Sequence, residues 1–248
     1  MSKLTYLLIG GFCLTGAANI LNQVFEKDLD ILMNRTKNRP LPSERLSITE
    51  ALSFSLILAT IGFLVLISWV NVFSAFLTLV SLILYAFFYT PMKRVSPFAV
   101  LVGAFPGAMP PLIGWVAGTN AISIEALTIF GLQFIWQFPH FWAIAWVLDE
   151  DYKRAGFRLL PSSGGRNMNT AFQIMIYTLF LIPLGLLPTK FGIVGINSAI
   201  VTTICGVLFL AQTFYLMKVG TDKAARSIMF GSFIYLPIVQ ITFMLDKL

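Results

Sequence analysis

Apolar stretches about as long as a bilayer is thick recur from one end of this chain to the other, and that recurrence leaves few folds open. A helix needs roughly 20 apolar residues to cross a hydrocarbon core of about 30 Å. Runs at about 4–24, 47–67, 72–89, 97–117, 123–148, 168–187, 192–217 and 227–245 approach or exceed that length. Membrane strands would alternate lipid-facing and lumen-facing residues, and these runs do not. With 57% hydrophobic and 11% charged residues in 248, the chain reads as an all-α, polytopic transmembrane helical bundle of about eight spans. Connections are short, so 1–248 is read as a single transmembrane domain. Cys13 and Cys205 fall inside spans, which speaks against a disulfide framework or a cysteine metal site.

The basic residues set the orientation. If the loop after the first span is cytoplasmic, alternation places Lys27, Arg35, Lys37, Arg39, Arg45, Lys93, Arg94, Lys153, Arg154, Arg158, Arg166, Lys218, Lys223 and Arg226 inside. Only Lys3, Lys190 and Lys247 remain outside. The positive-inside rule predicts such a split. A pI near 9.4 therefore needs no nucleic-acid partner, because these bases belong to cytoplasmic loops between spans; the apolar runs make the lipid bilayer the partner. Met1-Ser2-Lys3 followed by Leu4 to Gly16 and Ala17-Ala18 also has the form of a signal peptide. Cleavage there would detach Asn22 and Glu26, so a retained first helix is expected.

Asn22, Glu26 and Asp30 are spaced i, i+4, i+8, which on a helix makes one polar stripe. Asp28 points elsewhere unless the backbone unwinds. Ionisable groups at membrane depth are costly and mark function. Oxygen ligands without histidine or cysteine suit Mg²⁺, which takes much of its shell from substrate phosphates. Lys27, Arg35, Lys37 and Arg39 follow at once and suit the phosphate charge, arginine in bidentate fashion. A charged helix end closed by a solvated basic loop would use the same residues.

Asp149, Glu150 and Asp151 end the fifth span on the same membrane side. Either acidic cluster alone is unremarkable, but two converging from different helices could hold metal ions on one diphosphate. Tyr89 and Lys93, four apart after the third span, could face one anion, although Pro91 interrupts the helix. An interfacial tyrosine with positive-inside lysine is the plainer reading. The turn Pro161 to Gly164-Gly165 is mobile in form and weak as a phosphate cradle. His140, the sole histidine, lies among aromatics in Trp136-Gln137-Phe138-Pro139-His140-Phe141. It could ligate haem iron, polarise a substrate, or be hydrogen-bonded core. Gly103, Pro106, Gly107, Pro110, Pro111 and Gly114 suggest that the fourth span is broken or closely packed.

A diphosphate site beside an apolar cavity suggests a lipid diphosphate substrate. Asn22…Glu26…Asp30, Met33-Asn-Arg35-Thr36-Lys-Asn-Arg39-Pro40, Tyr89-Thr90-Pro91-Met-Lys93 and Asp149-Glu150-Asp151-Tyr152 together resemble the intramembrane aromatic prenyltransferase superfamily. Trp136 to Phe141 and Asp151 to Pro161 are most similar to its protohaem IX farnesyltransferase (haem O synthase) branch. The resemblance runs from about Gly16 through Gly165 and rests on several ordered motifs. It implies farnesyl transfer from farnesyl diphosphate to the 2-vinyl group of haem B, with hydration, in a bacterial plasma membrane with the catalytic face cytoplasmic. It implies Mg²⁺ held by Asn22, Glu26 and Asp30 and by Asp151 with Asp149 or Glu150. It gives diphosphate to Arg35, Arg39 and Lys93 with Tyr89, and strengthens His140 for haem contact or acid–base assistance. A haem A synthase or an oxidase assembly factor would be a partner in the cell.

The sequence departs from that pattern twice. Glu26 stands where aspartate is usual, which lengthens one ligand by a methylene. Set against the family's nine-helix pattern, the chain begins almost at the second helix, as either a truncated start or a shorter branch would. Within the superfamily a quinone or other aromatic prenyltransferase is the runner-up. A transporter or membrane assembly protein is the alternative of another class.

Overall fold

The computed structural model describes residues 2–162 and 165–248; the expectations placed on Met1 and Gly164 lie outside them. Eight helical segments of 21–24 residues follow one another. They are α1 (Lys3–Phe25), α3 (Ile48–Trp69), the composite segment Val72–Met92, α6 (Ala99–Thr119), α7 (Ile124–Val147), α9 (Met168–Lys190), α10 (Ile196–Val219) and α11 (Asp222–Leu245). Short helices α2 (Lys27–Asp30) and α8 (Asp149–Arg154) carry the acids. The composite segment consists of α4 (Val72–Ile83), a π-helix (Leu84–Tyr89) and α5 (Thr90–Met92).

Seven of the eight are long and apolar enough to cross a membrane. The exception is α7, whose apolar pattern is diluted by Gln133, Gln137, Pro139 and His140, all of them buried. Its polarity is spent inside the protein, so eight spans remain the reading. The last segment begins at Asp222 rather than near 227. Thr221 caps it, accepting from the Ala224 amide at 3.3 Å, so Lys223 and Arg226 lie in its first turns and not in a loop.

Two compact units divide the chain: residues 1–122 with 150–158, and residues 123–149 with 159–248. In the first, α1 packs along α3, α4 against α3 and α6, and the π-helix against α6 and α1. Large apolar side chains such as Phe12 and Leu56 point outward, while Ser55 and Thr78 are buried. Lipid offers no hydrophobic drive between helices, so close backbone approach does the packing. A Cβ on Gly62 would stand 2.8 Å from the Gly10 carbonyl, and one on Gly10 only 2.5 Å from Leu66 Cγ. That is why α1 and α3 lie so near.

The fourth span is closely packed and not broken. Helix α6 runs unbroken through Pro106, Pro110 and Pro111. Pro110 has no N–H to give the Pro106 carbonyl, and Ser81 Oγ supplies the missing donor at 3.3 Å. Gly103 receives the Tyr89 ring, whose carbons would lie 2.7 Å from an added Cβ.

In the second unit α7, α9, α10 and α11 pack as a closed ring of neighbours: α7 on α9, α9 on α10, α10 on α11, α11 on α7. Across its core Gln240 Nε2 donates to Gln133 Oε1 at 2.7 Å, and Trp136 Nε1 donates to the Ser232 carbonyl at 3.0 Å. Buried polar groups of this kind persist only when paired.

Candidate active site

Asn22, Glu26 and Asp30 do not share one continuous helix. Helix α1 stops at Phe25, Glu26 adopts φ −103° and ψ 8° as its C-cap, and α2 restarts the turn. All three side chains nevertheless end up buried, at 7%, 4% and 0% exposure, while Asp28 stays exposed. Asp28 therefore does not join the cluster despite the break.

A π-turn brings the next group in. The span widens into the π-helix Leu84–Tyr89, and the Thr90 amide reaches back to the Tyr85 carbonyl. Thr90 Oγ1 also donates to that carbonyl at 2.9 Å and accepts from Asn22 Nδ2 at 3.1 Å. The turn then aims Lys93 inward. Its Nζ lies 2.9 Å from Glu26 Oε1 and 4.6 Å from the centre of the Tyr89 ring. Tyr89 thus supports the lysine through its ring face, braced on Gly103.

The basic loop is folded onto the acids and not splayed in solvent. Met33, Thr36 and Leu41 are buried anchors, and Thr36 Oγ1 donates to the Asp30 carbonyl at 3.0 Å. This fixes Arg39, whose Nη1 meets Asp30 Oδ2 at 2.9 Å. The other oxygen, Asp30 Oδ1, is buried without a hydrogen-bond partner. Arg35 and Lys37 are exposed, with Lys37 turned to Asn34.

Of the second acidic cluster, Asp151 meets the first group within the same unit. The Arg35 backbone N–H donates to Asp151 Oδ2 at 3.4 Å, and the Arg158 amide donates to the Lys93 carbonyl at 2.8 Å. Asp151 pairs with Arg154. Tyr152 packs beside them; burial pushes its phenol above the ordinary value, against the opposing charges of Arg35 and Lys93. Phe157, also buried, lies under Lys93 Nζ at 5.7 Å. Glu150 is exposed.

Asp149 and His140 belong to the second unit. Asp149 Oδ2 meets Arg166 Nε at 3.1 Å, and Arg166 Nη1 reaches Asp222 Oδ1, also at 3.1 Å, so the arginine ties Asp149, two residues past the end of α7, to the start of α11. His140 is buried, with Nδ1 2.7 Å from Ser232 Oγ and its ring stacked on Trp136. Sequence reasoning missed Ser232 and the Arg166 bridge; it named Thr90 and Tyr152 only as members of motifs and gave them no role. Arg166 carried only a loop-charge signal, and Ser232 carried none.

Among the described residues no three histidine, cysteine or carboxylate groups gather in metal-holding geometry. The acids are spaced by bases instead: Glu26 by Lys93, Asp30 by Arg39, Asp151 by Arg154. Donor chemistry still fits Mg²⁺, since every candidate ligand is a hard oxygen and Asp30 Oδ1 is an orphaned buried acceptor. The set fits the ion arriving with diphosphate better than the ion alone. Bases that now neutralise acids are the groups phosphate oxygens would take. Chemically, the arrangement can bind a polyanion and stabilise it as a leaving group.

A π-broken span and buried acids paired with lysine and arginine inside a bundle of apolar helices are compatible with an intramembrane enzyme acting on a polyanionic substrate. The chain belongs to the UbiA prenyltransferase family, whose sequence profile matches residues 1–236. It is 53% identical to the protoheme IX farnesyltransferase of Cytophaga hutchinsonii, over 99% of this chain and 86% of that protein. Its identity to the protein of that name from Flavobacterium psychrophilum is 47%, over 98% and 82%. In fold it resembles a digeranylgeranylglyceryl phosphate synthase, with TM-score 0.77 at 19% identity, covering 98% of this chain and 85% of the other. A UbiA homologue from Archaeoglobus fulgidus bound to DMAPP and Mg²⁺ aligns with TM-score 0.70 at 13% identity, over 98% and 88%.

Proposed function

We propose that this multi-pass membrane protein is a protohaem IX farnesyltransferase, converting haem B and farnesyl diphosphate to haem O and diphosphate. In the geometry one observation carries the reading: three buried or half-buried acids, Glu26, Asp30 and Asp151, each held by a base, on segments hydrogen-bonded to one another. The acceptor is argued from the relatives' shared name and high identity.

Lys93, Arg39 and Arg35 bind the diphosphate and take up the negative charge that grows as the allylic C–O bond breaks. Mg²⁺ at Asn22, Glu26, Asp30 and Asp151 would supply further positive charge to the same leaving group. Asp149 and Glu150 are the weaker members of that set, since Asp149 is engaged by Arg166 and Glu150 is exposed. Tyr89 and Phe157 hold Lys93 in place from its sides. The farnesyl C1 forms a bond with the terminal vinyl carbon of haem. Water then adds to the adjacent carbon and releases one proton, leaving a hydroxyethylfarnesyl group. His140 serves the haem half of the reaction.

The positive-inside distribution of the basic residues supports a diphosphate end on the cytoplasmic side of a bacterial inner membrane. A haem A synthase or an oxidase assembly factor is the natural recipient of the product. Incubating the purified protein with haem B, farnesyl diphosphate and Mg²⁺, then weighing the extracted porphyrin, tests the reading. Haem O is the expected mass; unmodified haem beside a prenylated quinone precursor would overturn it.

A further inference from the structure

Two oxygens in the second unit lie too close to be anything but hydrogen-bonded: Ser232 Oγ and the Met229 carbonyl are 2.5 Å apart. A carbonyl has no hydrogen to give, and serine has one. The Ser232 hydroxyl therefore spends its only proton on Met229 O. It must then act as acceptor toward His140 Nδ1, 2.7 Å away, so Nδ1 carries the imidazole proton. Nε2 is left as the bare lone-pair nitrogen, and among the described residues it has no hydrogen-bond partner.

The ring's orientation is fixed as firmly as its tautomer. Trp136 stacks on it with centroids 4.6 Å apart and planes 14° from parallel. Phe233 and Phe141 stand edge-on at 4.9 and 5.2 Å. Trp136 Nε1 donates to the Ser232 carbonyl at 3.0 Å, so residues one turn apart on α7 both grip residue 232 of α11. A neutral imidazole, locked by a donor bond from its far nitrogen and surrounded by aromatic rings, is how proteins present a ligand to a metal. Haem iron takes such a nitrogen.

We propose that His140 ligates the iron of bound haem B through Nε2, and that Ser232 is the positioning residue that keeps that nitrogen free of its proton. The inference rests on the haem-farnesylating reading above and deepens it. Ligation would anchor the porphyrin by its centre and leave its peripheral vinyl groups outside the bond.

His140 is the only histidine in the chain, so ¹⁵N-histidine labels a single side chain, provided that any purification tag lacks histidine. Pulsed electron paramagnetic resonance on labelled protein loaded with ferric haem B should show ¹⁵N coupling to iron. Ser232→Ala should weaken haem binding about tenfold. In the haem-free protein it should also move the imidazole proton from Nδ1 toward Nε2 in the ¹⁵N spectrum, which a purely structural role would not do. His140→Ala should lose the coupling, and free ¹⁵N-imidazole should restore it. The same preparations are assayed for haem O by mass. Haem O formed without ¹⁵N coupling would overturn the ligation and leave the activity standing; neither haem binding nor haem O would overturn both. An unmoved tautomer and affinity in Ser232→Ala would remove the role of Ser232.

Discussion

Lys93 Nζ and Glu26 Oε1 lie 2.9 Å apart with side chains only 11% and 5% exposed. A base supplied after the third span thus neutralises an acid at the end of the first, at a depth where neither would be tolerated alone. Removing one partner of such a buried pair costs about 3–5 kcal/mol, whereas replacing both by apolar groups is often neutral. Lys93→Met should therefore lower the unfolding temperature in detergent sharply. Glu26→Met added to it should recover most of the stability and none of the farnesyl transfer. If the double variant stays as unstable as the single, the pair is not the cause.

Asp30→Asn keeps the size of a side chain that is fully buried but removes its charge. Turnover should fall about 10²- to 10³-fold, the scale of losing one electrostatic contact to a developing charge. Asp151→Asn should behave alike. Helical content by circular dichroism should stay unchanged in both. Ordinary turnover in well-folded variants would withdraw the metal and diphosphate roles of these acids.

Because the acids and bases already satisfy one another, each half of a magnesium diphosphate should bind poorly without the other. Phosphate oxygens that draw Arg39 and Lys93 away leave Asp30 and Glu26 in need of a cation, and the coupling is reciprocal. Calorimetric titration of inorganic diphosphate should tighten about 5- to 100-fold when Mg²⁺ is present, a coupling of about 1–3 kcal/mol. Loss of this effect in Asp30→Asn would tie it to the site; equal affinity with and without Mg²⁺ would refute it.

Gly103 gives the Tyr89 ring its seat, and an added Cβ would lie 2.7 Å from two ring carbons. Gly103→Val should cost about 1–3 kcal/mol by overpacking. By displacing the ring beneath Lys93 it should also raise KM for farnesyl diphosphate more than it lowers kcat. A fall in kcat alone would place the effect elsewhere.

Much was legible in the chain because membrane physics writes itself in runs. Span positions followed from length and apolarity; Glu26, Asp30 and Lys93 stood out because charge at depth is expensive, and Asn22 because it is polar on the same stripe. Gly103 and the α6 prolines signalled close packing, though not that Ser81 would repair the freed carbonyl. The i, i+4, i+8 spacing suggested one helical stripe, but the backbone resets at Glu26. Residues 222–226 read as loop because charge masks a helix start.

What the sequence determined alone was which segments leave water and which residues carry unpaid charge there, since both depend on one residue's transfer from water. Partnership was decided only by the tertiary structure. Glu26 with Lys93, Asp30 with Arg39, Asp149 with Arg166 and His140 with Ser232 join groups 9 to 92 positions apart. The energy of each pair belongs to the distance between two groups, which no single position encodes.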